Sequence, residues 1–136
     1  MSSAQNATMQ GMSIMPSLTV NNLQESLDFF AGLGFEVEDR WEENGVVLGA
    51  MLKAGAARIG LSQDDGKKGT DRKKGVGMRL YVEAGGDIDQ IAARAKTAGV
   101  KLASEPHDTE WGARAFEVTD PSGFLFTIAS PSAPSK

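Results

Sequence analysis

The chemistry open to this chain is narrowed first by its histidine and cysteine content. The 136 residues include one histidine, His107, and no cysteine. Without thiols the chain forms no disulfide, no thiolate nucleophile and no cysteine-ligated metal site. A metal site with two histidines from one chain is also excluded, and any serine–histidine–aspartate relay depends on His107. We interpret His107 as part of a surface loop over residues 105–110, or as an acid–base group at the rim of a pocket.

Aromatic and cationic residues are better suited to binding than to catalysis. Trp41 and Trp111 are the two tryptophans of the chain, and each stands among polar neighbours. A planar ligand can stack on either indole, although a core or dimer-interface role is the alternative. Arg79 can bind a carboxylate, sulfate or phosphate, unless it pairs with an acid such as Glu117 or Asp39. The pattern favours a site for a small planar or anionic compound.

The bulk composition excludes other functions. Hydrophobic residues make up 40% of the chain and charged residues 24%, which is typical of one globular domain. A formal net charge of −4 argues against a nucleic-acid partner. No apolar run reaches the roughly 18 residues that a membrane span needs. The first residues lack a secretory signal pattern, so we expect a cytoplasmic protein.

The same order of elements occurs twice along the chain. A strand at residues 18–20 and a helix at 22–33 open the first half, and a strand at 80–82 and a helix at 87–98 open the second. Asn22 begins the first helix, with a glutamate three residues later, as in a capping box. The further strands are expected at residues 35–41, 45–52, 57–62, 100–104, 113–119 and 124–129. This order predicts an α+β fold of two tandem βαβββ modules.

The predicted domain organisation is a single domain with two flexible tails. Module one covers residues 13–63 and module two residues 76–130, while residues 1–12 and 131–136 form the tails. The polar, glycine-rich residues 64–75 connect the modules. We interpret this segment as a solvated linker, with a mobile lid or an anion-binding loop as the alternative.

Two stretches carry a resemblance to a known family. They are residues 18–35, LTVNNLQESLDFFAGLGF, and residues 111–123, WGARAFEVTDPSG. Together with the repeat, they resemble the vicinal-oxygen-chelate superfamily of glyoxalases, bleomycin-resistance proteins and extradiol dioxygenases, and most closely its metal-free bleomycin-resistance-like members. The resemblance implies one curved mixed sheet that forms a ligand cup, with the helices on its convex side. It also implies a homodimer.

The resemblance further implies where catalytic relatives hold a divalent metal. Counting from the matching motifs, the ligand positions fall at Met15, Gly77 and Thr127, and the remaining one falls within residues 59–62. None of these residues is a histidine or a carboxylate, the ligand types that hard divalent ions require. We therefore expect no metal and no cofactor, and we lean against an enzyme.

Strand alternation, applied to the positions that the resemblance implies, selects the ligand-binding residues. If Gly77 points into the cup, Arg79 and Tyr81 do so as well. Met51 lines an apolar wall or fills the core. The predicted ligand-binding residues, with no catalytic residue among them, are Arg79, Tyr81, Trp41, Trp111, Met51, Thr127 and Met15.

Three functions follow from these expectations. The favoured one is a metal-free protein that sequesters a small planar or anionic compound such as an antibiotic. A metal-independent lyase or isomerase, using Glu117, His107 or Tyr81, is the first alternative. A dimeric scaffold whose cup is filled by its own side chains is the second. No nucleic acid or membrane is expected as a partner.

Overall fold

The computed structural model describes residues 7–132, so the predicted tails at 1–12 and 131–136 lie partly outside the described residues. Strands and helices alternate as the repeat predicts. Their order is β1 (Ser17–Val20), α1 (Leu23–Leu33), β2 (Glu36–Glu43), β3 (Val46–Ala54), β4 (Ala57–Gln63), β5 (Arg79–Glu83), α2 (Ile88–Thr97), β6 (Leu102–Asp108), β7 (Arg114–Thr119) and β8 (Leu125–Ala129). No helix in this part of the chain is long and apolar enough to cross a bilayer.

Local capping explains where the helices begin and end. The side chain of Asn22 accepts a hydrogen bond from the Glu25 N–H at 3.0 Å, and that of Asp87 accepts one from the Gln90 N–H at 3.2 Å. Each bond satisfies an N–H group that the first helical turn leaves free. Gly34 ends α1 with φ at 104°, a conformation that glycine adopts without steric cost.

Hydrogen bonds between strands arrange them in two sheets. The orders are β1-β4-β3-β2 and β5-β8-β7-β6, with the first strand of each module parallel to its fourth and the remaining pairs antiparallel. The α+β class and the two tandem modules are confirmed. The fold differs from the expectation in one respect. The strands form two four-stranded sheets instead of one curved sheet. Each module pairs its own first and fourth strands, as at Leu18–Leu61 and Leu80–Phe126.

The second module corrects the interpretation of His107 as a loop residue. Strand β6 continues to Asp108, so His107 lies within a strand, opposite Ala115 of β7. Pro106 lies within this strand, although proline cannot donate to a sheet ladder. β6 is an edge strand with an irregular register here, and edge strands tolerate proline.

One hydrophobic core serves both modules. The ring of Phe30 in α1 packs edge-on against Phe126 in β8, with the centroids 5.2 Å apart. Ser26 of α1 donates a hydrogen bond of 2.8 Å to the buried carboxylate of Asp120, which lies 94 residues further along the chain. Burial is the main cause that raises the pKa of Asp120, whereas the bond from Ser26 lowers it. These contacts attach module one to module two.

The Asp64 carboxylate binds three groups of the segment between the modules. Asp64 accepts hydrogen bonds from Lys74 at 2.6 Å, from Arg72 at 2.9 Å and from the N–H of Gly66 at 2.8 Å. These donors, with Lys74 contributing most, hold the pKa of Asp64 well below its usual range. The segment is therefore folded against the end of module one.

Candidate functional site

Side chains that point away from the core give each sheet an open face. The module-one face consists of Ser17, Thr19, Trp41, Gly49, Met51, Gly60 and Ser62. The module-two face consists of Arg79, Tyr81, Ser104, Glu117, Leu125 and Thr127, with Trp111 beside it. In both cases the intervening strand residues, such as Leu18 and Leu61 or Phe116 and Phe126, are buried in the core. This alternation follows from the pleat of a strand.

Glu117 lies at the centre of the module-two face. Its carboxylate accepts hydrogen bonds from Ser104 and Thr127, each at 3.3 Å, and its Oε2 lies 3.5 Å from the Arg79 Nη2 atom. The acid pairing considered for Arg79 is thus present. The Arg79 side chain is nevertheless 56% exposed, and a guanidinium has five N–H donors. Arg79 can therefore bind Glu117 and an anion at the same time.

An aromatic pair extends this face. The indole N–H of Trp111 donates to the hydroxyl of Tyr81 at 3.0 Å, and the ring centroids are 6.4 Å apart at an interplanar angle of 49°. Tyr81 is 45% exposed and Trp111 54% exposed. Because Tyr81 lies two residues after Arg79 on the same strand, the aromatic surface and the cation share one face.

On the module-one face, a glycine determines where Trp41 lies. Trp41 and Gly49 are opposite each other in the β2–β3 pair, and a Cβ atom at Gly49 would lie 2.1 Å from the Trp41 Cζ2 atom. The indole therefore packs directly on the Gly49 backbone, while 43% of Trp41 remains exposed. Gly60, opposite Met51, is buried, and a Cβ atom there would lie 3.6 Å from Ser17 Oγ and 3.7 Å from Met51 Cε. Glycine inside a strand often marks such a close approach.

The remaining predicted residues are less well placed for a ligand. Met15 is half exposed just before β1, and Thr127 is 4% exposed beneath Glu117. His107 is exposed, and its Nδ1 atom lies 2.8 Å from the carbonyl oxygen of Glu105. Sequence reasoning missed Gly49 and Ser104, for which the signals are a glycine opposite a tryptophan and a hydroxyl opposite a carboxylate.

The residues at the metal positions that the resemblance implies do not fit a divalent ion. Met15 offers a thioether, Gly77 has no side chain, and the Thr127 hydroxyl is bonded to Glu117. The stretch from Ile59 to Ser62 adds no carboxylate or imidazole. Across residues 7–132, no three histidine, aspartate or glutamate side chains are grouped closely enough to bind a metal. We derive no chemistry through an ion at these positions.

One cavity in the described chain lies away from both faces. Its volume is about 750 Å³, and it is bounded by the end of α1, the β3–β4 turn, the end of β5 and the second half of α2. Its walls are mainly alanine and glycine, and none of the predicted ligand-binding residues lines it. A site built from the predicted residues therefore has to form on the open faces.

Solved structures with the same fold share little sequence with this chain. TioX from Micromonospora sp. ML1 matches at 20% identity and a TM-score of 0.70, over 88% of this chain and 98% of its own. TnmS3, an antibiotic-binding protein from Streptomyces sp. CB03234, matches at 22% identity and a TM-score of 0.68, over 92% and 100%. A bleomycin-binding protein complexed with bleomycin matches at 16% identity and a TM-score of 0.65, over 90% and 100%.

Of the two sequence comparisons, one finds no match and the other identifies a family. No protein of curated function matches this sequence. The model of one family, described as Glyoxalase/Bleomycin resistance protein/Dioxygenase superfamily, matches residues 12–128. That span contains every strand and helix up to the end of β8, apart from its last residue. The chain therefore belongs to the glyoxalase/bleomycin resistance protein/dioxygenase superfamily.

Proposed function

We propose that this superfamily member binds and sequesters a small planar compound that carries a negative charge, without help from a metal. The observation that carries the proposal is the exposed Tyr81–Trp111 pair on the same face as Arg79. Rings give a planar ligand a large contact area, with about 0.5–1.5 kcal/mol per aromatic contact beyond the area buried. The guanidinium gives an anion directed hydrogen bonds. The antibiotic-binding and bleomycin-binding proteins of this fold support the same class of function.

Catalysis by Glu117 is the alternative that we disfavour. A metal-independent lyase or isomerase needs a base that the substrate can approach within hydrogen-bond distance. Both carboxylate oxygens of Glu117 instead accept bonds from neighbouring side chains, Ser104 on one and Thr127 on the other. This arrangement suits a residue that holds Arg79 in position.

We also propose that two copies of the chain complete the ligand site. In a single copy both open faces point away from the shared core, so neither covers a ligand from above. Opposing the module-one face of one copy to the module-two face of the other would close a cup between them. It would bring Trp41 of one copy opposite Arg79 of the second. Such a twofold arrangement forms two equal cups.

The test is a titration of the wild-type protein with bleomycin and with a panel of aromatic carboxylates, followed by tryptophan fluorescence. We expect saturable quenching by at least one aromatic carboxylate. Arg79→Ala should weaken that binding about tenfold, as expected for the loss of one charge-assisted contact. Arg94→Ala, which removes an exposed arginine on α2, is the matched control and should leave it unchanged. Absence of saturable binding, or equal effects of the two variants, would overturn the proposal.

A further inference from the structure

A polar cavity of about 360 Å³ lies where the parallel strands β1 and β4 end. Thr19 and Ser62 contribute hydroxyls to its wall, and Lys67, Lys68 and Arg72 contribute cations from the segment that follows β4. Asp64 and Asp65 also border it. Hydroxyls and ammonium groups that converge on one space are the donors that an oxyanion requires.

Positively charged side chains outnumber negatively charged ones around this cavity. Of the 14 lysines and arginines in the chain, five stand between residues 67 and 74, although the whole chain has a net charge of −4. Lys74 and Arg72 neutralise Asp64. Within residues 7–132, neither Lys67 nor Lys68 has a carboxylate within 4 Å of its ammonium group. Among the described residues that border the cavity, these two ammonium groups outnumber the carboxylates that form no ion pair, since Asp65 is the single one.

The segment begins against the end of β1. Its first N–H, at Asp64, donates to the carbonyl of Val20 at 2.9 Å, which continues the β1–β4 pairing. The Asp65 carboxylate then accepts from the Lys67 N–H at 2.9 Å, and the Gly69 N–H donates to Gly66 at 3.1 Å. Asp64 closes the segment through Arg72 and Lys74. These bonds hold the backbone from which the two lysine side chains extend.

Two residues of the cavity wall are in register with residues of the module-one face. Thr19 is opposite Ser62, Ser62 is opposite Gly49, and Gly49 is opposite Trp41, so the four residues form one row across the sheet. Neighbouring strands lie about 4.8 Å apart. The indole on Gly49 is thus one to two strand spacings from the Ser62 hydroxyl. A ring on Trp41 and an anion at Ser62 would be separated by only a few bonds.

We propose that this cavity binds the oxyanion substituent, a phosphate, sulfate or carboxylate, of a small aromatic compound whose ring lies on Trp41. Lys67 and Lys68 supply the charge, and Thr19 and Ser62 donate hydrogen bonds. The position of the ring rests on the proposed function. The oxyanion site itself rests only on the cavity and its cations.

Inorganic phosphate tests the oxyanion site by itself. At constant ionic strength, we expect a saturable shift of the amide signals of Thr19, Ser62 and Gly66 in ¹H–¹⁵N spectra of the wild-type protein. The Lys67→Ala/Lys68→Ala double variant should bind phosphate at least about tenfold more weakly. Lys73→Ala is the matched control, because Lys73 belongs to the same segment but does not line the cavity. No saturable shift in the wild type, or equal affinities of the double variant and the control, would overturn the site.

A pair of ring compounds tests the aromatic part. We expect 1-naphthyl phosphate to bind the wild-type protein at least about tenfold more tightly than 1-naphthol, and this preference should decrease in the double variant, in which Arg79 still offers a guanidinium, but not in Lys73→Ala. Equal binding of the two compounds to the wild type would overturn the proposal. Saturable binding of inorganic phosphate without binding of either naphthyl compound would support the oxyanion site. It would contradict the claim that an aromatic ring lies on Trp41, and with it the proposed binding of a planar compound.

Discussion

At the scale of single residues, the packing of Trp41 on Gly49 is the feature most sensitive to change. Any side chain at Gly49 meets the indole, since even a Cβ atom would lie 2.1 Å from a ring carbon. Real side chains do not approach so closely, so the indole must move. The position of Trp41 on the module-one face therefore requires a glycine at residue 49.

We predict that Gly49→Ala displaces Trp41 and lowers the free energy of unfolding by about 1–3 kcal/mol, as overpacking generally does. Tryptophan emission should shift, and binding of the planar ligand should weaken. Urea unfolding and fluorescence provide the measurements. Gly85→Ala is the control, since a Cβ atom there meets nothing within 4 Å. An unchanged emission spectrum in Gly49→Ala would contradict this account of the face.

Residue-level features were predictable only where they follow from local periodicity. The common face of Arg79 and Tyr81 follows from the alternation of β5. The position of Trp41 does not, because β2 has register shifts on both sides of it, between Val37 and Asp39 and between Trp41 and Glu42. A single sequence does not reveal such bulges, and so it left the role of Trp41 open.

At the scale of secondary-structure elements, α1 is attached to module two by the bond from Ser26 to Asp120. We predict that Ser26→Ala lowers the free energy of unfolding by about 1–3 kcal/mol at neutral pH, because the buried carboxylate loses a donor. Urea titration gives the value. Ser17→Ala, at an exposed serine of β1, should cost much less. Equal effects of the two variants would argue against a stabilising role for the contact.

The segment after β4 predicts a dependence of stability on pH. The folded-state pKa of Asp64 is depressed below its ordinary value of 3.8, so its ionised form stabilises the fold above that pH. This stabilisation is lost as the pH falls below 3.8. We therefore expect Asp64→Asn to reduce stability at pH 7 and the difference from wild type to shrink in acid. Unfolding curves at several pH values test this, with Asp71→Asn as the control. A difference that is constant with pH would contradict the assignment.

Elements were predictable to the extent that their signals are local. The capping signals at Asn22 and Asp87 involve only residues within one helical turn, and both helices begin directly after these residues. The division into two sheets depends on which strands pair across tens of residues. The length of β6 depends on its being an edge strand, a property that emerges only after assembly.

At the scale of the whole molecule, the proposed cups depend on pairing two copies. A copy with Trp41→Ala has a damaged module-one face, and a copy with Arg79→Ala and Trp111→Ala has a damaged module-two face. In a mixed dimer both lesions fall in one cup, and the other cup is intact. After random exchange of subunits, we expect about one quarter of the cups to regain wild-type affinity.

Calorimetry of the mixture measures the number of restored sites, and native mass spectrometry verifies that mixed dimers are present. The unmixed variants serve as controls, because each should bind weakly alone. Mixed dimers without restored sites would show that the two faces do not act together across the interface. The duplication of the module was predictable from the sequence. The outward direction of both faces was not, because it depends on how the modules pack.

The central claim, ligand binding that needs no metal, is tested most directly by calorimetric titration of the wild-type protein with 2-naphthoate. One titration contains a chelator, and parallel titrations contain Mn²⁺, Ni²⁺ or Zn²⁺. We predict saturable binding in every case, with dissociation constants that agree within about twofold. Binding that appears only with a metal ion, or chemical conversion of a bound compound, would contradict the account.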